Sequence, residues 1–301
     1  MNRADYWLTK FSKLRIERAR GDPAPHKPLL LLVLCDLVEK ASLFHDTLPL
    51  TPELAFRFYT YWSIVAGRRQ QRPDVRLPFH HLSGDGIWSV LDDKGAPSPD
   101  KKMTRYAKLP SDLVAFLEDP ASREKARHVL IAKYFRPSEQ IALFAIIGLP
   151  VPSRQEIERN AAYKSPEEAQ LAGREARFRI RVVSAYNFTC ALSAYRLTTI
   201  TAGSIVDAAH IHEFRDSRNN DPRNGIALSK NAHWTFDQGL WTISDDYRVI
   251  VAVGHFAEAG PSQLDLLESH HGKQIRLPED RTLWPDPIHL AWHRKTRFKG
   301  A

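Results

Sequence analysis

The chain has 301 residues, 43% of them hydrophobic and 10% aromatic. That suits one large or two ordinary globular domains and excludes a disordered polymer. No apolar run reaches the roughly 18 residues that span a bilayer, and the N-terminus lacks the apolar centre of a secretion signal, so a cytoplasmic location is expected. Two cysteines, Cys35 and Cys190, exclude a disulfide framework and a structural zinc site built on paired CxxC motifs. The formal charge is +8, and residues 1–150 carry 23 Lys and Arg against 17 Asp and Glu, so most of the excess lies in the first half. A basic half invites a polyanionic partner.

In chain order, "YWLTKFSKLRI" (6–16) has apolar residues at helical spacing. "HKPLLLLVLCDLVEKA" (26–41) reads as a helix buried on most faces. "TPELAFRFYTYWSIVAG" (51–67) begins with Thr51 as N-cap, Pro52 and Glu53 in the first turn, and stops at Gly67. A basic loop, 67–76, leads into "LPFHHLSGDGIWSVL", where "GDG" is a turn and "IWSVL" a short strand. "SDLVAFLED" and "SREKARHVLIAKYF" are further helices, and "LPVPSR" (149–154) breaks the pattern. A domain boundary is expected near 155, dividing 1–155 from 156–301, with a helical linker over 155–170 and a charged helix over 165–186.

"VDAAHIHEF" (206–214) then reads as a strand, "NNDPRNG" as turn chemistry, "IALS" as a second strand, and "SKNAHWTFDQG" as a helix capped by Ser229 and closed by Gly239. His210, Asn224 and His233 fall in that order along a strand–turn–strand–helix plan. Together with "FRIRVVSAYNFTCALSAYRL" and "HLAWHRKTRF", these residues make 172–298 resemble an HNH endonuclease domain of the restriction-enzyme type. The resemblance implies a ββα-metal fold and hydrolysis of DNA phosphodiesters with a divalent cation, Mg²⁺ or Mn²⁺. A phosphodiester repels hydroxide, so the chemistry needs a base for water and a cation for the developing charge. His210 is the candidate base, and His233 a metal ligand. Asn224 is expected to fix the turn and the orientation of His210, with metal contact as a lesser role. Many nucleases of this group carry Asp or His just before the base. Ala209 stands there, so the carboxylate ligand is assigned to Asp207, with His212 as its substitute. Asp237 reads as a helix-end residue and Cys190 as core.

In the first half, "PHKPLLLLVL", "FYTYWSIV" and "LPFHHLSGDGIW" resemble the sulfur-binding domain of McrA-like type IV restriction enzymes, over roughly 5–135. Such domains recognise DNA in which sulfur replaces a non-bridging phosphate oxygen. Sulfur is larger, softer and less hydrated than oxygen, so an apolar pocket beside positive charge selects it. Carried onto this chain, the pocket comprises Leu77, Pro78 and His81 beside His26 and Lys27. Arg68, Arg69, Arg72 and Arg76 are assigned to phosphate or major-groove contacts, and Phe79, Leu82 and Trp88 to the core.

The expectation is therefore an α+β protein, with a mainly helical DNA-recognition domain followed by a small HNH nuclease domain. It would act on double-stranded, phosphorothioate-modified DNA, and cutting both strands makes a homodimer plausible. The competing readings are a nuclease that recognises unmodified sequence or methylated bases, and a DNA-binding regulator whose nuclease fold has lost activity.

Overall fold

The computed structural model describes residues 3–17, 22–40, 46–68, 73–150, 166–261 and 267–300. Its elements are helices and short antiparallel strands, the expected α+β class. It divides into two compact units, 1–177 with 199–203, and 178–198 with 204–301. The boundary expected near 155 lies within 151–165, outside the described residues.

In the first unit, helix α1 (Arg3–Ser12) buries Trp7 and Phe11. Helix α2 (His26–Glu39) runs through the core, and every side chain from Leu29 to Cys35 has no exposed surface. Each leucine so covered stabilises the fold by about 1.5–3 kcal/mol. Burial also pushes the Cys35 thiol up to about 12. One charge interrupts the run. Asp36 accepts from Arg127 at 2.8 Å and from the Tyr61 hydroxyl, which ties α2 to α3 (Pro52–Val65) and α6 (Pro120–Tyr134). Thr51 caps α3, accepting from Leu54 N at 3.2 Å.

Strands β1 (Thr47–Pro49), β2 (Ser89–Leu91) and β3 (Tyr106–Lys108) form an antiparallel sheet in the order β1-β3-β2. The strand read from "IWSVL" is confined to 89–91, because Ile87 and Trp88 belong to the core and the Trp88 indole donates to Phe79 O at 2.9 Å. Phe79 and Leu82 are core residues too. Four of these elements were not expected. Strands β1 and β3 are only three residues long. Helix α4 (Arg76–His81) has six residues and carries Pro78 in its first turn, where a missing N–H costs little. Helix α7 (Pro137–Ile147) is apolar on nearly every face, so periodicity does not mark it, and it ends at Gly148 with φ 85°. Helix α5 (Ser111–Glu118) lies where expected.

The helix α8 (Pro166–Ala185), which belongs to the second unit from Phe178 onward, is followed there by β4 (Val206–His210), which pairs antiparallel with β5 (Gly225–Ser229). His210 stands opposite Gly225. Helix α9 (Lys230–Asp237) follows. Ser229 occupies its N-cap, but its side chain makes no capping bond, contrary to expectation. Gly239 closes it with φ 69°, and a Cβ there would lie 2.0 Å from Arg297 O. A second ribbon, β6 (Trp241–Ile243) with β7 (Val249–Val251), and a last helix, α10 (Pro287–Thr296), complete the unit. Cys190 is buried within it. Among the described residues no helix is long and apolar enough to cross a membrane.

Candidate functional site

Two separate places gather the residues singled out above, one in each unit.

In the first unit, a cavity of about 230 Å³ is lined by Arg15, Ile16, Glu17, Ala24, His26, Lys27, Leu77, Pro78 and His81. The first turn of α2 brings His26 and Lys27, and α4 brings Leu77, Pro78 and His81. The five residues assigned to the pocket thus share one wall system, although 50 positions separate Lys27 from Leu77. Leu77, Pro78, Ile16 and Ala24 make it largely apolar. His26 is braced against Trp62, with ring centroids 4.5 Å apart. The proton affinity of His81 is lowered by burial, and then by His80, Lys27 and Lys101, with Asp85 opposing.

Two of the expected cations are already engaged. Lys27 Nζ donates to Asp85 Oδ2 at 2.6 Å and to Arg15 O at 2.8 Å. Arg76 binds Asp74 through Nε at 2.8 Å and Nη2 at 3.1 Å, and that bond holds its guanidinium above its ordinary value. Arg68 ends a short 3₁₀ turn, Ala66–Arg68. Arg69 and Arg72 lie outside the described residues.

In the second unit, the strand pair and α9 bring together His210, Asn224 and His233. The His210 ring stacks on Phe178 at 3.9 Å, and its Nε2 lies 2.8 Å from Asn220 Oδ1. An amide oxygen only accepts, so Nε2 carries the hydrogen and Nδ1 keeps the lone pair. Burial lowers the proton affinity of His210, the Asn220 bond raises it, and the nearby charge of His233 lowers it again. Gly225, opposite His210, admits this packing. A Cβ there would lie 2.4 Å from Val182 Cγ2 and 2.8 Å from Phe178 Cζ.

Asn224 has no exposed surface. Its Oδ1 accepts from His212 N at 2.8 Å, and its Nδ2 donates to His212 O at 2.9 Å and Asn219 O at 3.1 Å. That amide pins the chain just beyond His210 and offers no face to a cation, so the expected metal contact gives way to a pinning role. Asp207 is also diverted. Its carboxylate pairs with Arg179 Nε at 2.7 Å, and strand alternation sets position 207 on the opposite face from 210. His212 stacks on Trp292 at 4.0 Å and lies 5.8 Å from His289, in a cluster of its own.

His233 instead finds Asp237 one turn later, Nε2 to Oδ2 3.5 Å. The Asp237 carboxyl is raised above its usual range by burial, with His233 and Arg297 opposing and Glu213 adding to the rise. Glu213 itself pairs with Arg297. His233 and the half-exposed Asp237 stand at i, i+4 on one helix face, an imidazole and a carboxylate of the types that bind divalent cations. Among the described residues no three His, Cys, Asp or Glu side chains form a ready-made ligand group. The next residue, Trp234, is 61% exposed. Asn220, Phe178 and Glu213 were not singled out in the sequence. Asn220 was hidden in turn chemistry, whereas the i, i+4 spacing of His233 and Asp237 was a signal open to use.

Residues 65–151 match the family model described as the ScoMcrA-like DNA sulfur-binding domain, and residues 190–244 match that of the HNH endonuclease. No curated protein matches the chain significantly. Among solved structures, the chain is similar to a modification-dependent TagI restriction endonuclease, at 18% identity and a TM-score of 0.31. The alignment covers 48% of this chain and 44% of that one, so the chain spans less than half of that protein's length. By its two family matches, the chain joins a DNA sulfur-binding domain of the ScoMcrA-like family to an HNH endonuclease domain.

Proposed function

We propose that this protein is a modification-dependent DNA endonuclease, whose first unit reads a phosphorothioate linkage in duplex DNA and whose second unit hydrolyses phosphodiester bonds. The observation that carries this reading is the cavity itself, in which Leu77 and Pro78 meet His26, Lys27 and His81. An apolar floor strips water from sulfur at little cost and from an ionised oxygen at greater cost. The net positive charge of residues 1–150 attracts the anion in either case.

In the second unit, His210 takes a proton from water on Nδ1. Phe178 and Asn220 hold its ring in place, and burial keeps it neutral and ready to accept at neutral pH. Asn224 fixes the backbone at His212 and hence the end of the strand that carries His210. His233 and Asp237 would hold a divalent cation, Mg²⁺ or Mn²⁺, which supplies positive charge for the phosphate. Cutting both strands then calls for two copies of the chain, and a restriction role places the protein in the cytoplasm.

Two measurements test the reading. The full chain should bind a duplex with one phosphorothioate more tightly than the matched unmodified duplex, and Pro78→Ser should erase that difference by hydrating the floor. In a plasmid-nicking assay with Mg²⁺ or Mn²⁺, His210→Ala should lose cleavage while keeping DNA affinity. Normal nicking by that variant would move the base elsewhere.

A further inference from the structure

One wall of the pocket comes from a segment with no expected part in it, the strap Arg15–Glu17 that follows α1. Its position is fixed from both sides of one residue. Arg15 N donates to Asp85 Oδ1 at 2.7 Å, and Arg15 O accepts from Lys27 Nζ at 2.8 Å. Lys27 and Asp85 close the triangle with their own bond at 2.6 Å, their side chains only 15% and 4% exposed. Lys10 Nζ adds a bond to Asp85 O at 3.0 Å, and Ala24 N reaches Glu17 O at 3.0 Å. The turn around Asp85 and the strap beside the pocket are therefore one latched piece.

This arrangement redistributes the charge at the pocket. The Lys27 ammonium is spent on a carboxylate and a carbonyl. Drawing it onto a phosphate would leave the Asp85 carboxylate, shielded from water, without its ion pair, a costly exchange. Arg15 is different. Its backbone is latched, but its guanidinium makes no ion pair or hydrogen bond among the described residues, and the residue is exposed at the pocket wall.

We propose that Arg15 is the residue that grips the phosphate presented to this pocket, and that Lys27 and Asp85 are the clamp that positions it. The assignment rests on the pocket reading given above and deepens it. With sulfur seated against Leu77 and Pro78, the remaining non-bridging oxygen faces the rim, where a planar guanidinium meets it through charge-assisted hydrogen bonds. Because that oxygen is present in both kinds of DNA, Arg15 supplies affinity to each, and the floor supplies the preference.

The test is equilibrium binding of the full chain to matched duplexes, with and without one phosphorothioate, over a series of salt concentrations. Arg15→Ala should weaken both duplexes about tenfold, keep the preference for sulfur, and reduce the slope of log affinity against log salt by about one phosphate. Arg15→Lys should restore the slope and part of the affinity. Lys27→Ala should lower the melting temperature, since it removes the clamp. Preserved sulfur preference with an unchanged slope in Arg15→Ala overturns the Arg15 assignment alone. A slope reduced by one in a Lys27→Ala protein that melts like the wild type returns the phosphate contact to Lys27. Equal wild-type affinity for the two duplexes overturns the sulfur reading of the pocket itself.

Discussion

The imidazole of His210 lies nearly flat on the phenyl ring of Phe178, with planes 7° apart. A ring held on one face by an aromatic platform, and at Nε2 by Asn220, has lost most of its water and its freedom to turn. Burial and the Asn220 bond act on its proton affinity in opposite senses, with burial the larger.

That opposition gives a paired prediction for the pH profile of cleavage. The base works unprotonated, so kcat/KM falls on the acid side as His210 takes up a proton. Phe178→Leu readmits water, raises the proton affinity of His210 and should move the acid limb to higher pH. Asn220→Ala removes the bond that favours the charged ring and should move the limb to lower pH, with a lower rate throughout. Limbs that shift together, or not at all, would show that another group sets the profile.

Metal binding separates the carboxylates. His233→Ala and Asp237→Ala should each weaken Mn²⁺ binding by about 10–100-fold in calorimetry. Asp207→Ala should leave it unchanged, because that carboxylate is committed to Arg179. The reverse ranking would restore Asp207 as the ligand.

Asn224→Ala should destabilise the protein by about 3 kcal/mol, because the His212 N–H and two carbonyls lose buried partners together. Chemical denaturation measures this directly. A cost within about 0.5 kcal/mol, the range usual for surface substitutions, would show that water replaces the amide.

His293 predicts acid sensitivity in the second unit. It is 2% exposed, accepts from the Thr242 hydroxyl at 2.8 Å and approaches Phe236 O at 3.3 Å. Burial lowers it from 6.5 to about 4. The unfolded chain therefore binds a proton on this ring as pH falls below about 6.5, whereas the folded protein binds it only near 4. Stability should be full above 6.5 and fall by up to roughly 3 kcal/mol toward pH 4. His293→Gln, if it folds, should flatten that part of the stability curve.

The sequence carried the local plan of both sites. The leucine run of α2, the turn residues before Gly225 and the order of His210, Asn224 and His233 are near-neighbour signals, and the structure places them on the elements expected. Long-range partners were another matter. Nothing near Lys27 announces Asp85, 58 positions later, so a lysine already neutralised looked like an open cation. Asp207 likewise looked available until Arg179, from the preceding helix, reached it. Helix α4 escaped notice because six residues hold too few turns to show a period.

Both native thiols are sealed in the core, Cys35 with no exposed surface and Cys190 likewise. In the folded state neither competes for an alkylating or disulfide-forming reagent. A single cysteine installed at Arg15, or at the exposed Trp234, would then be the one thiol on the folded protein open to labelling. A cross-linkable group on the DNA near either position would report by its yield how close the two molecules come, independently of affinity and turnover.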